Sequence, residues 1–189
     1  LKIYARPTAA AKSLGGANAS AAFLKLLFSE DPLDRKVGLT AVGALGNPGP
    51  LFVALQQSKH ADTRQFAIQV IRNWLGHDPG QLKKLEDASQ KLGMTKTNTE
   101  SLLHLLLGFD SEERQQPGTY QLLIEGLNHS KLLVRELSYW HLVRMAPAGR
   151  GIAYDPAGTP EQIQAAVRQW RELIPPGQLP PAPKSSVGS

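Results

Sequence analysis

The sequence predicts an all-α protein, a stack of antiparallel helical hairpins, and three observations carry that expectation. Three stretches echo one another: AFLKLLFSEDPLDRKVGLTAVGAL from Ala22 to Leu45, LFVALQQSKHADTRQFAIQVIRNW from Leu51 to Trp74, and LLIEGLNHSKLLVRELSYWHLVRM from Leu122 to Met145. Each reads as an apolar helix, a polar turn, an arginine and a second apolar helix. A unit repeated along a chain buries its core against its neighbours, so the repeat itself implies stacked hairpins. Helix-start chemistry also recurs along the chain, and period-two alternation rich in β-branched residues is absent, which leaves no basis for a sheet.

Taken in order, residues 1–20 are small and weakly patterned (TAAAKSLGGANAS) and read as a lead-in. Asp31-Pro32 and Asp78-Pro79 each set a capping carboxylate before a proline at the first helical position, where its missing N–H costs nothing. Gly46-Asn47-Pro48-Gly49-Pro50 stops the first copy through glycine and proline chemistry. Between about 79 and 116, Gln81 to Leu92 and Asn98 to Phe109 carry helical patterns that suit one enlarged hairpin of the same stack. Pro147-Ala148-Gly149 ends the third copy, and a loop from Gly149 to Gly158 follows. Thr159-Pro160-Glu161-Gln162 is a capping box. The helix it opens lines up Ile163, Ala166, Val167, Trp170, Leu173 and Ile174 on one face, as a cap on the open end requires. From about 175 the chain turns proline-rich and then Gly/Ser-rich, a tail with no core to bury. The repeat domain is therefore expected over 21–174, with the tail over 175–189.

Laid in register, the second helices align Gly38, Ala41, Val42 and Leu45 with Ala67, Val70, Ile71 and Trp74, and with Ser138, His141, Leu142 and Met145. Steps of three and four residues make these the inward face. The first of each set is small, which lets neighbouring helices approach closely.

DRKVGLTAVGALGNPG and DTRQFAIQVI, with the helix after the first of them, resemble HEAT-like helical repeats, most closely the short type named after phycobilisome lyases. The resemblance covers residues 21–75 well and 119–146 less well, where Val134 replaces the usual acid before the arginine. It implies a right-handed HEAT/armadillo-like α-α superhelix that mediates protein contacts, and it carries no lyase activity over to this chain.

Composition narrows the chemistry. The 189 residues are 41% hydrophobic, ample for a core, and contain no cysteine, which removes disulfides, zinc fingers and thiol catalysis. No window approaches the length of a membrane span. The chain opens on Leu1 and LKIYARP lacks a signal-peptide layout, so the expectation is the C-terminal part of a larger bacterial protein, in a compartment the residues do not specify. The net charge is +5, but the basic residues are scattered and no run exceeds two.

Among candidate residues, Arg35, Arg64 and Arg135 occupy equivalent turns. They read as an anion ladder or, better, as partners of Asp34, Asp62 and Glu136 whose stems cover the core. His141 reads as a satisfied core histidine, since no HxxxH or HExxH accompanies it. Tyr139, Trp140 and Val143 turn aromatic and apolar a face that holds Thr40, Gln69 and Arg72 in the other copies. Either the 149–158 loop and the last helix cover them, or they anchor a partner. Glu112-Glu113 reads as stabilisation of a helix start, and Tyr154-Asp155-Pro156 as a turn. Gly15-Gly16 and the glycines from Gly43 to Gly49 stand in the wrong contexts for phosphate loops.

The resulting expectation is a non-catalytic protein-interaction or scaffolding module, with no catalytic, cofactor or metal residues. Lys36, Gln65, Gln69, Arg72, Tyr139, Trp140 and Arg144 form its candidate partner surface. One alternative is a basic concave face on nucleic-acid backbone, using Arg35, Lys36, Arg64, Arg72, Arg135 and Arg144. Another is an accessory domain of an enzyme whose site lies upstream.

Overall fold

The computed structural model describes residues 22–77, 80–91 and 93–182. Among them every regular element is helical and none is a strand, so the fold is all-α. None of these helices is long and apolar enough to cross a membrane. The Asp78-Pro79 helix start, the lead-in over 1–20 and the tail from 183 onward lie outside the described residues. The chain divides into two compact units, Leu1–Leu107 and Gly108–Ser189, so the repeat domain expected over 21–174 contains the boundary between them.

In the first unit residues 22–26 are helical, followed by α1 (Pro32–Ala44), α2 (Pro48–Gln57), α3 (Ala61–Leu75), α4 (Gln81–Lys91) and α5 (Lys96–Leu107). Asp31 Oδ1 accepts from Leu33 N at 2.8 Å with Pro32 next to the cap, so α1 starts as its sequence predicts. Gly46, at φ 70, ends it in the left-handed region that glycine enters without steric cost. Asn47 then accepts from Gly49 N at 3.2 Å and Pro48 begins α2. The Gly46–Pro50 stretch is therefore a start as well as a stop. Helix α3 packs on both α1 and α2, and α4 and α5 extend the packing. Leu39, Leu51, Phe52, Leu55, Ile68 and Ile71 are wholly enclosed between them.

The inward face expected from the register is buried at Gly38, Ala41, Val42, Ala67, Ile71 and Trp74. Leu45 departs from it at 43% exposure because it falls past the last turn of α1, and Val70 and Met145 are only half-buried. The small position is tight: a Cβ on Gly38 would lie 3.0 Å from Leu26 Cβ and from Phe23 O. At the third copy Ser138 plays that part, and a Cβ on the facing Gly126 would collide with Ser138 Oγ.

The second unit comprises a 3-10 turn (Glu113–Gln115), α6 (Pro117–Gly126), α7 (Leu132–Met145), a second 3-10 turn (Pro147–Gly149) and α8 (Pro160–Leu173). Asp110 Oδ1 accepts from Glu112 N at 2.8 Å and Glu113 N at 2.9 Å, while Glu113 Oε2 accepts from Asp110 N at 2.8 Å. The paired acids thus sit at a capped turn. The expected capping box of α8 is present, with Gln162 Oε1 accepting from Thr159 N at 2.9 Å and Thr159 Oγ1 from Gln162 N at 3.4 Å. Helices α7 and α8 both pack on α6, enclosing Leu123, Ile124, Leu127, Leu137, Leu142 and Trp170.

Candidate functional site

The three equivalent arginines share one geometry. Arg35 Nη1 donates to Ser29 O and Glu30 O at 3.0 and 2.7 Å, Arg64 Nη1 to Ser58 O at 2.9 Å, and Arg135 Nη1 to His129 O and Ser130 O at 2.7 and 3.2 Å. Each guanidinium folds back onto the turn before it, reaching the carbonyl six residues earlier in all three and also the one five residues earlier in Arg35 and Arg135, and so satisfies carbonyls of that turn. Arg35 and Arg64 are only 4% and 1% exposed. The remaining arm of Arg35 reaches forward to the next copy, with Nε on Thr63 Oγ1 at 2.6 Å and Nη2 on Asp62 at 2.8 Å. Arg135 Nε likewise donates to Pro156 O at 2.6 Å. The partner of Arg35 is thus Asp62, not its neighbour Asp34, which accepts instead from Ser29 Oγ at 2.9 Å. Burial pushes the Asp62 carboxyl up, but hydrogen bonds from Arg35 and the Thr63 N–H, with the guanidinium charge, hold it below the usual range.

The aromatic patch on α7 is half-buried. Tyr139 meets Tyr154 of the 149–158 loop at 4.9 Å between ring centres, and Tyr154 Oη donates to Leu127 O at 2.7 Å. Burial pushes both phenols up. Trp140 is edge-on to His141 at 4.9 Å and carries the Arg144 guanidinium 3.8 Å from its ring centre. His141 is buried and also edge-on to Phe109 at 5.0 Å. Trp170 of α8 lies so close to Gly149 that a Cβ there would collide with its ring. Among the described residues no cluster of three or more His, Asp or Glu side chains is arranged for a metal.

The other candidate surface residues lie in the first unit. Lys36, Gln65 and Gln69 are exposed. The Arg72 guanidinium is engaged by Leu106 O and, at 3.4 Å, by Leu107 O, and it ties α3 to the end of α5.

Gln69 borders a feature that the register did not disclose, a cavity of about 610 Å³ between the C-terminal halves of α1 and α3. Leu45, Phe66, Val70 and Trp74 form its apolar wall, and Gln69, Asn73 and Gln81 supply carboxamides. Gly43 makes the floor, where a Cβ would collide with Val70 Cγ1. Trp74 is 7% exposed, and among the described residues neither its Nε1 nor Gln81 Oε1 has a hydrogen-bond partner. An unmet buried polar group costs about 1–3 kcal/mol. His77 Nδ1 lies 2.6 Å from Asn73 O, and Thr40 Oγ1 donates to Lys36 O at 2.8 Å, so each side chain meets the carbonyl four residues before it. Across Gly46 a second recess of about 370 Å³ is bordered by Asn47, Val53, Lys84, Asp87 and Lys91.

Sequence reading missed this site because Trp74 sat in the inward register and Gly43 and Gly46 read only as helix-ending residues. The available signal was two glycines three apart, Gly43 in the last turn of α1 and Gly46 just past its end, opposite an aromatic. Compared with family models, curated proteins and solved structures, the chain matches none.

Proposed function

We propose that the chain is a non-catalytic protein-interaction module of HEAT-like helical hairpins, and that partners engage the first unit at the cavity between α1 and α3. The observation that carries this reading is the chemistry of the cavity. Apolar walls accept a side chain, and a carboxamide rim with an unmet indole N–H accepts backbone amides. The repeat reading, which implies a right-handed superhelical succession, is supported by the arginine geometry: residues 35, 64 and 135 each donate to the carbonyl six residues before them. Nucleic-acid binding through a basic face loses two of its cations, since Arg35 and Arg64 are buried on turn carbonyls.

The test is capture with the full chain from a nuclease-treated lysate of its source, followed by calorimetry on the purified pair. A protein that stays bound after nuclease and binds again when purified is the expected result. Recovery of nucleic acid before treatment and of nothing after it would overturn the reading.

A further inference from the structure

We infer that the first unit docks an acidic peptide: one apolar side chain enters the cavity beside Trp74, the backbone crosses over Gly46, and a carboxylate meets Lys84 and Lys91. This rests on the interaction-module reading and specifies the partner's chemistry.

Three observations converge on it. The two recesses both border Gly46, so a chain crossing that glycine touches both. A Cβ on Gly46 would have a single neighbour within 4 Å, Trp74 Nε1 at 3.7 Å, so a chain has room to pass over the bare glycine.

Among the described residues Trp74 Nε1 is a donor without an acceptor, and Gln81 Oε1 is an acceptor without a donor. A peptide group carries the complement of both in its C=O and N–H. A hydrocarbon ligand would enclose both and satisfy neither.

Charge decides the flank. Lys84 and Lys91 are exposed, lie two turns apart on one face of α4, and carry no salt bridge among the described residues. Asp87 between them pairs with Lys83 Nζ at 2.8 Å, an ammonium that Glu86 also approaches at 3.9 Å, and the two lysines outnumber the one acid of the recess lining. The recess beyond Gly46 is therefore positive, and a carboxylate two or three residues from the inserted side chain fits it.

The experiment selects random dodecamer peptides on the intact chain and titrates a recovered peptide into ¹⁵N-labelled protein. The chain has 3 tryptophans, so indole N–H signals report position directly, with Trp74→Phe identifying one of them. The expected peptides pair Leu, Ile, Met or Phe with nearby Asp or Glu, and they move the Trp74 indole while leaving those of Trp140 and Trp170. The double variant Lys84→Glu, Lys91→Glu, exposed and without core contacts to lose, is expected to weaken binding about tenfold or more and to keep its thermal midpoint. Peptides that bind this variant equally well, or that move Trp140 instead, overturn the placement while the module reading stands. Recovery of no peptide family, together with an oligothymidylate that moves the Trp74 indole, overturns both.

Discussion

In each unit a tryptophan from a later helix meets the glycine that lies just beyond a repeated second helix, and the two meetings end differently. Trp170 closes on Gly149 until no methyl group would fit between them, and its ring is fully enclosed. Trp74 stands off Gly46 and borders a cavity of about 610 Å³. The difference lies in what delivers the indole. Trp170 arrives on α8, which follows a loop and docks by its own amphipathic face. Trp74 arrives on α3, which is itself the second helix of the next copy and is held by α2 and by the Arg35–Asp62 pair. A helix clamped at that end cannot slide to fill a gap at the other. Close packing is the default of protein interiors, so a gap preserved by hairpin geometry is where a ligand has room.

The largest expected effect that tests this comparison is on stability. Trp170→Ala removes a fully packed ring and is expected to cost about 3–5 kcal/mol in urea unfolding. Trp74→Ala, beside an existing cavity, is expected to cost distinctly less, and equal losses would break the comparison. Next come the glycines. Gly149→Ala is expected to cost about 1–3 kcal/mol by collision with the Trp170 ring. Gly46→Ala costs about 1–2 kcal/mol through its backbone angle alone. Asn tolerates that angle, so Gly46→Asn should recover part of the loss, whereas Gly149→Asn should recover none.

The units should also answer differently to acid, readable as amide exchange resolved by residue. Burial, then the Arg135 charge, lowers the His129 imidazole in the second unit. The unfolded chain therefore binds its proton more readily, and the stability this group contributes is complete above about pH 6.5 and lost as pH falls toward the lower folded value. Asp62 in the first unit is also lowered, so its contribution is complete above about pH 3.9 and lost only below that. The second unit should loosen first on acidification; loosening of the first unit near neutrality would contradict the assignment. The smallest effect is at Arg144, which covers Trp140. Arg144→Ala is expected to cost about 0.5–1 kcal/mol and to raise acrylamide quenching of Trp140, with Trp74 unchanged.

Much of the fold was legible because its causes are local. Asp31-Pro32 and the Thr159–Gln162 box specify helix starts through bonds that span three residues. The spacing of Ile163, Ala166, Val167 and Trp170 specifies a buried face in the same way. The exposure of Leu45 was not legible, since the register continues one step past the point where Gly46 ends the helix. Of the candidate surface, Arg72 proved committed to carbonyls of α5, a partner thirty-odd residues away that no pattern in α3 specifies.

By itself the sequence determined that the described residues are helical, where α1 and α8 start, and that Arg35, Arg64 and Arg135 occupy equivalent turns. Those features follow from backbone hydrogen bonding and periodicity within a few residues. Tertiary structure alone decided that the arginines grip carbonyls, that Tyr154 covers Tyr139, and that a gap opens beside Trp74 but closes around Trp170. A gap is a property of how far two helices can approach, set by contacts distant in sequence, and no residue spells it out.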